Sequence, residues 1–179
     1  MCVYILLLIQ LKSFLLMKDI TVLLRLEPYL RQWLTHAFGE PVRFPAQSYE
    51  NHLLLRLVQR VPRASTIANE DKNSLKCVRV VIPDSAHRRP EYYHHLSRRA
   101  NAKMCAALVS LFRIHLWSDI APKIHADGLN RAIDDWCQSQ GIDIDYREGV
   151  RQKFYRMRRS YETYGIILGK KHCHKVGKK

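Results

Sequence analysis

The sequence predicts a mainly α fold with a small two-stranded β element, an α+β arrangement ending in a helix-turn-helix-like unit. Three observations lead there. Apolar residues recur at helical spacing through most of the chain. They alternate at period two in only two short stretches. Proline and glycine fall between the patterned segments, where turns belong. At 179 residues and 47% hydrophobic, the chain is long enough for one domain with a sizeable core, or for two small ones.

Val3–Leu16 is almost wholly apolar, interrupted by Gln10, Lys12 and Ser13. A membrane-spanning helix needs about 20 apolar residues, and this run is shorter. It lacks the leading positive charge and small-residue cleavage site of a secretory signal. Met17 opens a conventional soluble start, so 1–16 is expected to be an upstream extension, with a membrane anchor as the rival. Ile20, Val22, Leu24 and Leu26 then alternate as a half-buried strand, Ile20–Leu26. Pro28 suits the first turn of a helix carrying Tyr29, Leu30, Trp33, Leu34 and Ala37, which Gly39 stops. Glu40–Ser48, with Pro41 and Pro45, reads as a loop, and Glu50–Val61 as a short helix ending before Pro62.

Val78–Ile82 alternates as the second strand. A long helix is expected over Glu91–Ile120, with Leu96, Ala100, Met104, Leu108, Leu111 and His115 as its inner stripe, widened by Tyr93, Ala107, Phe112 and Trp117. Pro122 breaks it. Asp127–Gln140 places Leu129, Ile133, Trp136 and Cys137 on one helical face, with Gly141 as the stop. The expected organisation is an α+β core at 17–122, a basic helical unit at 123–168 and a basic disordered tail at 169–179.

Charge narrows the function. Thirty Lys and Arg against sixteen Asp and Glu give +14. From Asp145 to Lys179 there are eleven basic and three acidic residues, a net of +8, so most of the excess sits at the C-terminal end. Such a surplus favours polyanions: DNA first, RNA second, an anionic membrane only if 3–16 is a genuine anchor. The five cysteines are widely spaced and form no C-x-x-C pair, so a reducing cytoplasm is the expected setting. His172-Cys173-His174 does not close a tetrahedral metal site alone, and no metal or cofactor is expected.

The segment Asp145–Tyr164 is the most informative. Val150, Phe154, Met157, Tyr161 and Tyr164 fall on one helical face, while Arg147, Arg151, Lys153, Arg156, Arg158 and Arg159 occupy the rest. Asp145 and Glu148 have the spacing of a capping box. Arginine forks suit phosphate and guanine, and Gln152 suits adenine. The apolar stripe is expected to pack on Leu129, Ile133 and Trp136 of the preceding helix. A contact set of about six phosphates predicts a log K against log salt slope near −5.

Trp136 followed by VRQKFYRMRRSY resembles the end of Myb/SANT-type and related helix-turn-helix domains over about forty residues; Trp136 is the single tryptophan there. The resemblance implies that Arg151, Tyr155, Arg158 and Arg159 face DNA. The layout of the whole chain also looks like that of small phage and mobile-element proteins.

A second basic cluster, Arg88, Arg89, Arg98, Arg99 and Lys103, surrounds Tyr92 and Tyr93, which suit either base stacking or core packing. His95-Leu-Ser-Arg98 fits the H-x-x-R string of tyrosine recombinases, but without its upstream arginine and downstream tyrosine contexts. No Walker A, G-x-G-x-x-G, H-E-x-x-H or G-x-S-x-G motif occurs. No catalytic residue is expected. The expectation is a non-enzymatic DNA-binding protein acting through helix 145–164. The alternatives are an RNA- or single-strand-binding protein, an adaptor for an acidic protein, and a recombinase or nuclease.

Overall fold

The computed structural model describes residues 19–61, 76–123 and 128–165. Among them are two strands, β1 (Thr21–Arg25) and β2 (Cys77–Val81), and five α-helices. These are α1 (Pro28–Phe38), α2 (Tyr49–Leu57), α3 (Arg98–Ile120), α4 (Leu129–Ser139) and α5 (Ile144–Thr163), with a 3₁₀ turn, Ala121–Lys123, after α3. The fold is mainly α with a small β element, as the periodicities predict. The 1–16 extension, the 169–179 tail and the His172–His174 cluster lie outside the described residues.

The chain divides into two compact units, one of Met1–Arg25 and Glu40–Met104, the other of Leu26–Gly39 and Cys105–Lys179. This division differs from a boundary at Pro122. α1 and most of α3 join α4 and α5, because aromatic side chains from these helices interlock (below).

In the first unit β1 and β2 pair antiparallel, with Val22 opposite Val80 and Leu24 opposite Val78. All four side chains are buried, and Arg79 between them is exposed, as the alternation requires. The Glu40–Ser48 loop adds a bridge to the sheet: the Val42 amide donates to Arg79 and the Val81 amide to Val42. Ser48 caps α2, its hydroxyl accepting from the Asn51 amide at 3.1 Å.

α3 begins at Arg98 rather than Glu91. His95 is instead paired as a strand-like bridge with Gln59 through two backbone hydrogen bonds, and the Ser97 hydroxyl accepts from the Ala100 amide as a helix cap. The buried residues of α3 are Ala100, Met104, Leu108, Phe112, Leu116 and Ile120, a stripe stepping by four. The expected stripe ends at His115 instead, which is exposed and lies edge-to-face with Trp33 at 5.6 Å. By length and composition, Arg98–Lys123 is the one helix among the described residues apolar enough to cross a membrane.

The second unit is built on rings. Phe112 of α3 meets Tyr29 and Trp33 of α1 edge-on at 5.1 and 5.3 Å, and Trp136 of α4 at 5.6 Å. Edge-to-face contact suits the ring quadrupoles and adds to the burial of area. The Trp136 indole N–H donates to Asp119 at 2.9 Å. Trp33 is fully buried and its indole N–H has no hydrogen-bond partner among the described residues.

Candidate nucleic-acid interface

α5 is set by its neighbours at both ends. Its N-cap is Asp143, not Asp145, and no side chain of α5 caps it. Gln32 of α1 does this instead: its carbonyl accepts from the Asp143 amide at 3.0 Å, and its amide donates to the Asp143 carboxylate. Asp145 stays in the first turn, where a negative charge is favoured. Glu148 turns to Arg151 and Gln152 rather than back to the helix start.

The turn from α4 into α5 is a Schellman motif. The Ile142 amide reaches the Cys137 carbonyl and the Gly141 amide the Gln138 carbonyl, with Ile142 and Cys137 both buried. Gly141 has φ +67°, and a Cβ there would lie 2.8 Å from the His36 ring. Glycine is therefore required twice over, by the left-handed backbone and by the close approach of α1.

The apolar stripe of α5 starts as predicted. Val150 and Phe154 are fully buried and Met157 is half-buried. Its far end differs. Tyr161 is 38% exposed and Tyr164 81%. The aromatic partner of the stripe is Trp117 of α3: Phe154 stacks on it at 5.4 Å, and Tyr161 is tilted against it at 4.3 Å.

The cations of α5 separate into three groups. In the first, Arg151 and Arg158 are paired with acids. Arg151 donates to Asp134 of α4 at 2.9 Å and to Glu148 at 2.7 Å. Burial disfavours its charge, but the hydrogen bond and charge of Asp134, with Glu148, outweigh that and hold it more firmly protonated. Tyr155 donates from its hydroxyl to Asn130 of α4 at 3.1 Å. Arg158 binds Glu162 at 3.0 Å, and Gln152 binds Glu148. Arg147 is half-buried, and its buried Nε has no hydrogen-bond partner among the described residues. Rungs Asn130–Tyr155 and Asp134–Arg151 thus run along the α4–α5 seam, and Arg151 and Tyr155 belong to it. Arg159 points outward and is exposed.

The third group faces α3 and lines a cleft of about 520 Å³. Its cations are Arg113 of α3 with Lys153 and Arg156 of α5, joined by the hydroxyls of Ser118 and Ser160 and the rings of Trp117 and Tyr161. Among the described residues no carboxylate lines it. Lys153 is held 3.4 Å from Glu27 and 4.8 Å above the Tyr29 ring. Arg113 and Arg156 are exposed and make no ion pair or hydrogen bond among the described residues. Burial first, then the charge and hydrogen bond of Glu27, push the Tyr29 hydroxyl well above its usual range, against the pull of Arg113. Apolar periodicity does not single out Arg113, because it marks the buried stripe of α3; the sequence signal for Arg113 is a cation on the exposed side of that pattern.

The second basic cluster also divides. Arg88 is structural: its guanidinium donates to the carbonyls of Leu55, Arg56 and Val58 at 2.8, 3.0 and 3.2 Å. It closes the C-terminus of α2, where carbonyls lack helical partners and positive charge is favoured. Arg89, Arg98 and Arg99 are exposed, and Arg99 shares a 130 Å³ recess with Arg56, Gln59, Ser97 and Lys103. Tyr92 is exposed and Tyr93 half-buried. Cys77 and Cys137 are buried free thiols. Among the described residues no group of His, Cys, Asp or Glu is placed to hold a metal ion. Comparison with protein-family models, curated proteins and solved structures gives no match.

Proposed function

We propose that this chain is a non-enzymatic nucleic-acid-binding protein, DNA being the first candidate, and that α5 makes the contact along its α3-facing edge. The observation that carries this reading is the cleft lined by Arg113, Lys153 and Arg156, with no carboxylate among the described residues of its lining. Elsewhere on α5 the arginines are largely answered by acids, so their charge is cancelled locally. In the cleft Lys153 is paired with Glu27, but Arg113 and Arg156 make no ion pair among the described residues, and Arg159 extends the positive surface outward. Uncompensated guanidinium groups on a rigid helix suit phosphate oxygens, and binding them releases counterions. The +14 charge draws such a partner in from a distance.

The test is fluorescence anisotropy with labelled DNA across a salt series. Affinity is expected to fall steeply with salt. Arg113→Glu with Arg156→Glu is expected to remove binding and leave the thermal melt in place, since both side chains are exposed. A flat salt response, or a double variant that binds like the parent, overturns the reading. Salt-sensitive binding to an acidic polypeptide with none to DNA or RNA transfers the surface to a protein partner.

A further inference from the structure

Phosphate binding needs cations and donors, but it does not need the rings in this cleft. Tyr161 is 38% exposed and tilts against Trp117 at 33° with centroids 4.3 Å apart. Phe154, fully buried, supports Trp117 at 5.4 Å. The platform is therefore held in place before any ligand arrives, which lowers the entropy lost on binding. Beside it lie Met157 and Ile114, the latter 64% exposed. The volume, about 520 Å³, falls within the ~300–1,000 Å³ of sites that enclose small ligands. Cations, two hydroxyls and an aromatic floor in one recess match a nucleotide whose base is out of a stack. A paired base cannot offer its face.

We infer that the α3–α5 cleft takes one unpaired nucleotide of a nucleic-acid strand, its base stacked on Tyr161 and Trp117 and its phosphate on Arg113 and Arg156. This rests on the nucleic-acid reading above and adds the form of the target: a single strand, a bulge or a splayed end. Ser118 and Ser160 supply hydroxyls that can donate or accept at the sugar or base edge. Lys153, tied to Glu27 and Tyr29, contributes charge rather than reach.

The experiment compares four probes on the full chain: a ten-nucleotide thymidine strand, an abasic strand of the same length, a blunt duplex and thymidine monophosphate. Binding is read by anisotropy or calorimetry and by tryptophan emission. Trp33 and Trp136 are buried, so quenching by a stacked base reports Trp117. The thymidine strand is expected to bind at least about tenfold more tightly than the abasic strand and to quench emission, as stacking on a ring implies. Tyr161→Leu is expected to erase that difference while Tyr161→Phe keeps it, with thermal melts confirming that both fold. If Tyr161→Leu does not fold, the parent's ratio of thymidine to abasic strand decides alone. Equal binding of the two strands overturns the inference; if Arg113→Glu with Arg156→Glu still abolishes binding, the nucleic-acid reading survives. Tighter binding to duplex also overturns the inference. Monophosphate binding as tight as the strand replaces it with a free-nucleotide site. Salt-sensitive binding to none of the probes removes both readings.

Discussion

Phe154 joins stability to the candidate site. It is fully buried and stacked beneath Trp117, so Phe154→Ala leaves a cavity and removes the support of the aromatic platform. The expected cost is about 3–5 kcal/mol in urea denaturation, with weaker oligonucleotide binding although no charge has changed. Arg159→Ala, at an exposed position, is expected to stay within about 0.5 kcal/mol of the parent. A silent Phe154→Ala in both assays would mean that the stripe does not hold the cleft. Cys137 gives a pH signature. Burial raises its thiol from near 9 to about 11, opposed in part by the charge of Arg147. The folded state therefore holds this proton more tightly than the unfolded state. Its contribution to stability is complete below pH 9 and is lost as pH rises from 9 toward 11. Urea midpoints of the parent and Cys137→Ala, compared at pH 8 and pH 11, should converge; a constant gap would rule this contribution out.

At the scale of elements, two non-local contacts set what the helices alone leave loose. Arg88 closes α2 from 33 residues away, with three carbonyls on one guanidinium nitrogen. Arg88→Ala is expected to lower stability by about 1–2 kcal/mol, less than a fully buried charged hydrogen-bond set because the side chain is half-buried. Oligonucleotide affinity should be unchanged; a large loss at unchanged stability would return Arg88 to the binding surface. The α4–α5 turn is the other case. Gly141→Ala imposes a left-handed conformation costing about 1–2 kcal/mol and also meets the His36 ring. The substitution should lower the melting temperature, and His36→Ala should recover the steric part but not the backbone part.

For the whole molecule the relevant quantity is not the net charge of +14 but how much of it is uncompensated at one surface. Six free cations on α5 would give a salt slope near −5. With Arg151, Arg158 and Lys153 engaged by acids, the local set is Arg113, Arg156 and Arg159, for which a single strand gives a slope of about −2. A measured slope of −5 or steeper would bring in cations beyond the cleft and its edge. The same distribution predicts that Arg151→Ala acts on stability, by breaking its tie to Asp134, more than on affinity.

The fold class, the two strands and the existence of the five helices are legible in the amino-acid sequence, because apolar period and glycine or proline punctuation are local properties; the start of α3 at Arg98 is not, since the pairing of His95 with Gln59 sets it. The sequence also determined the buried start of the α5 stripe, Val150 and Phe154. Only the tertiary structure decided which arginines keep their charge available. Helical spacing says which side chains share a face, but not what packs over it. Asp134 lies on another helix and quenches Arg151, and Gln32 caps α5 from α1. Arg113, on the exposed side of α3, completes a cleft with Lys153 and Arg156. Electrostatics acts through space, so the site emerges only once the helices are packed.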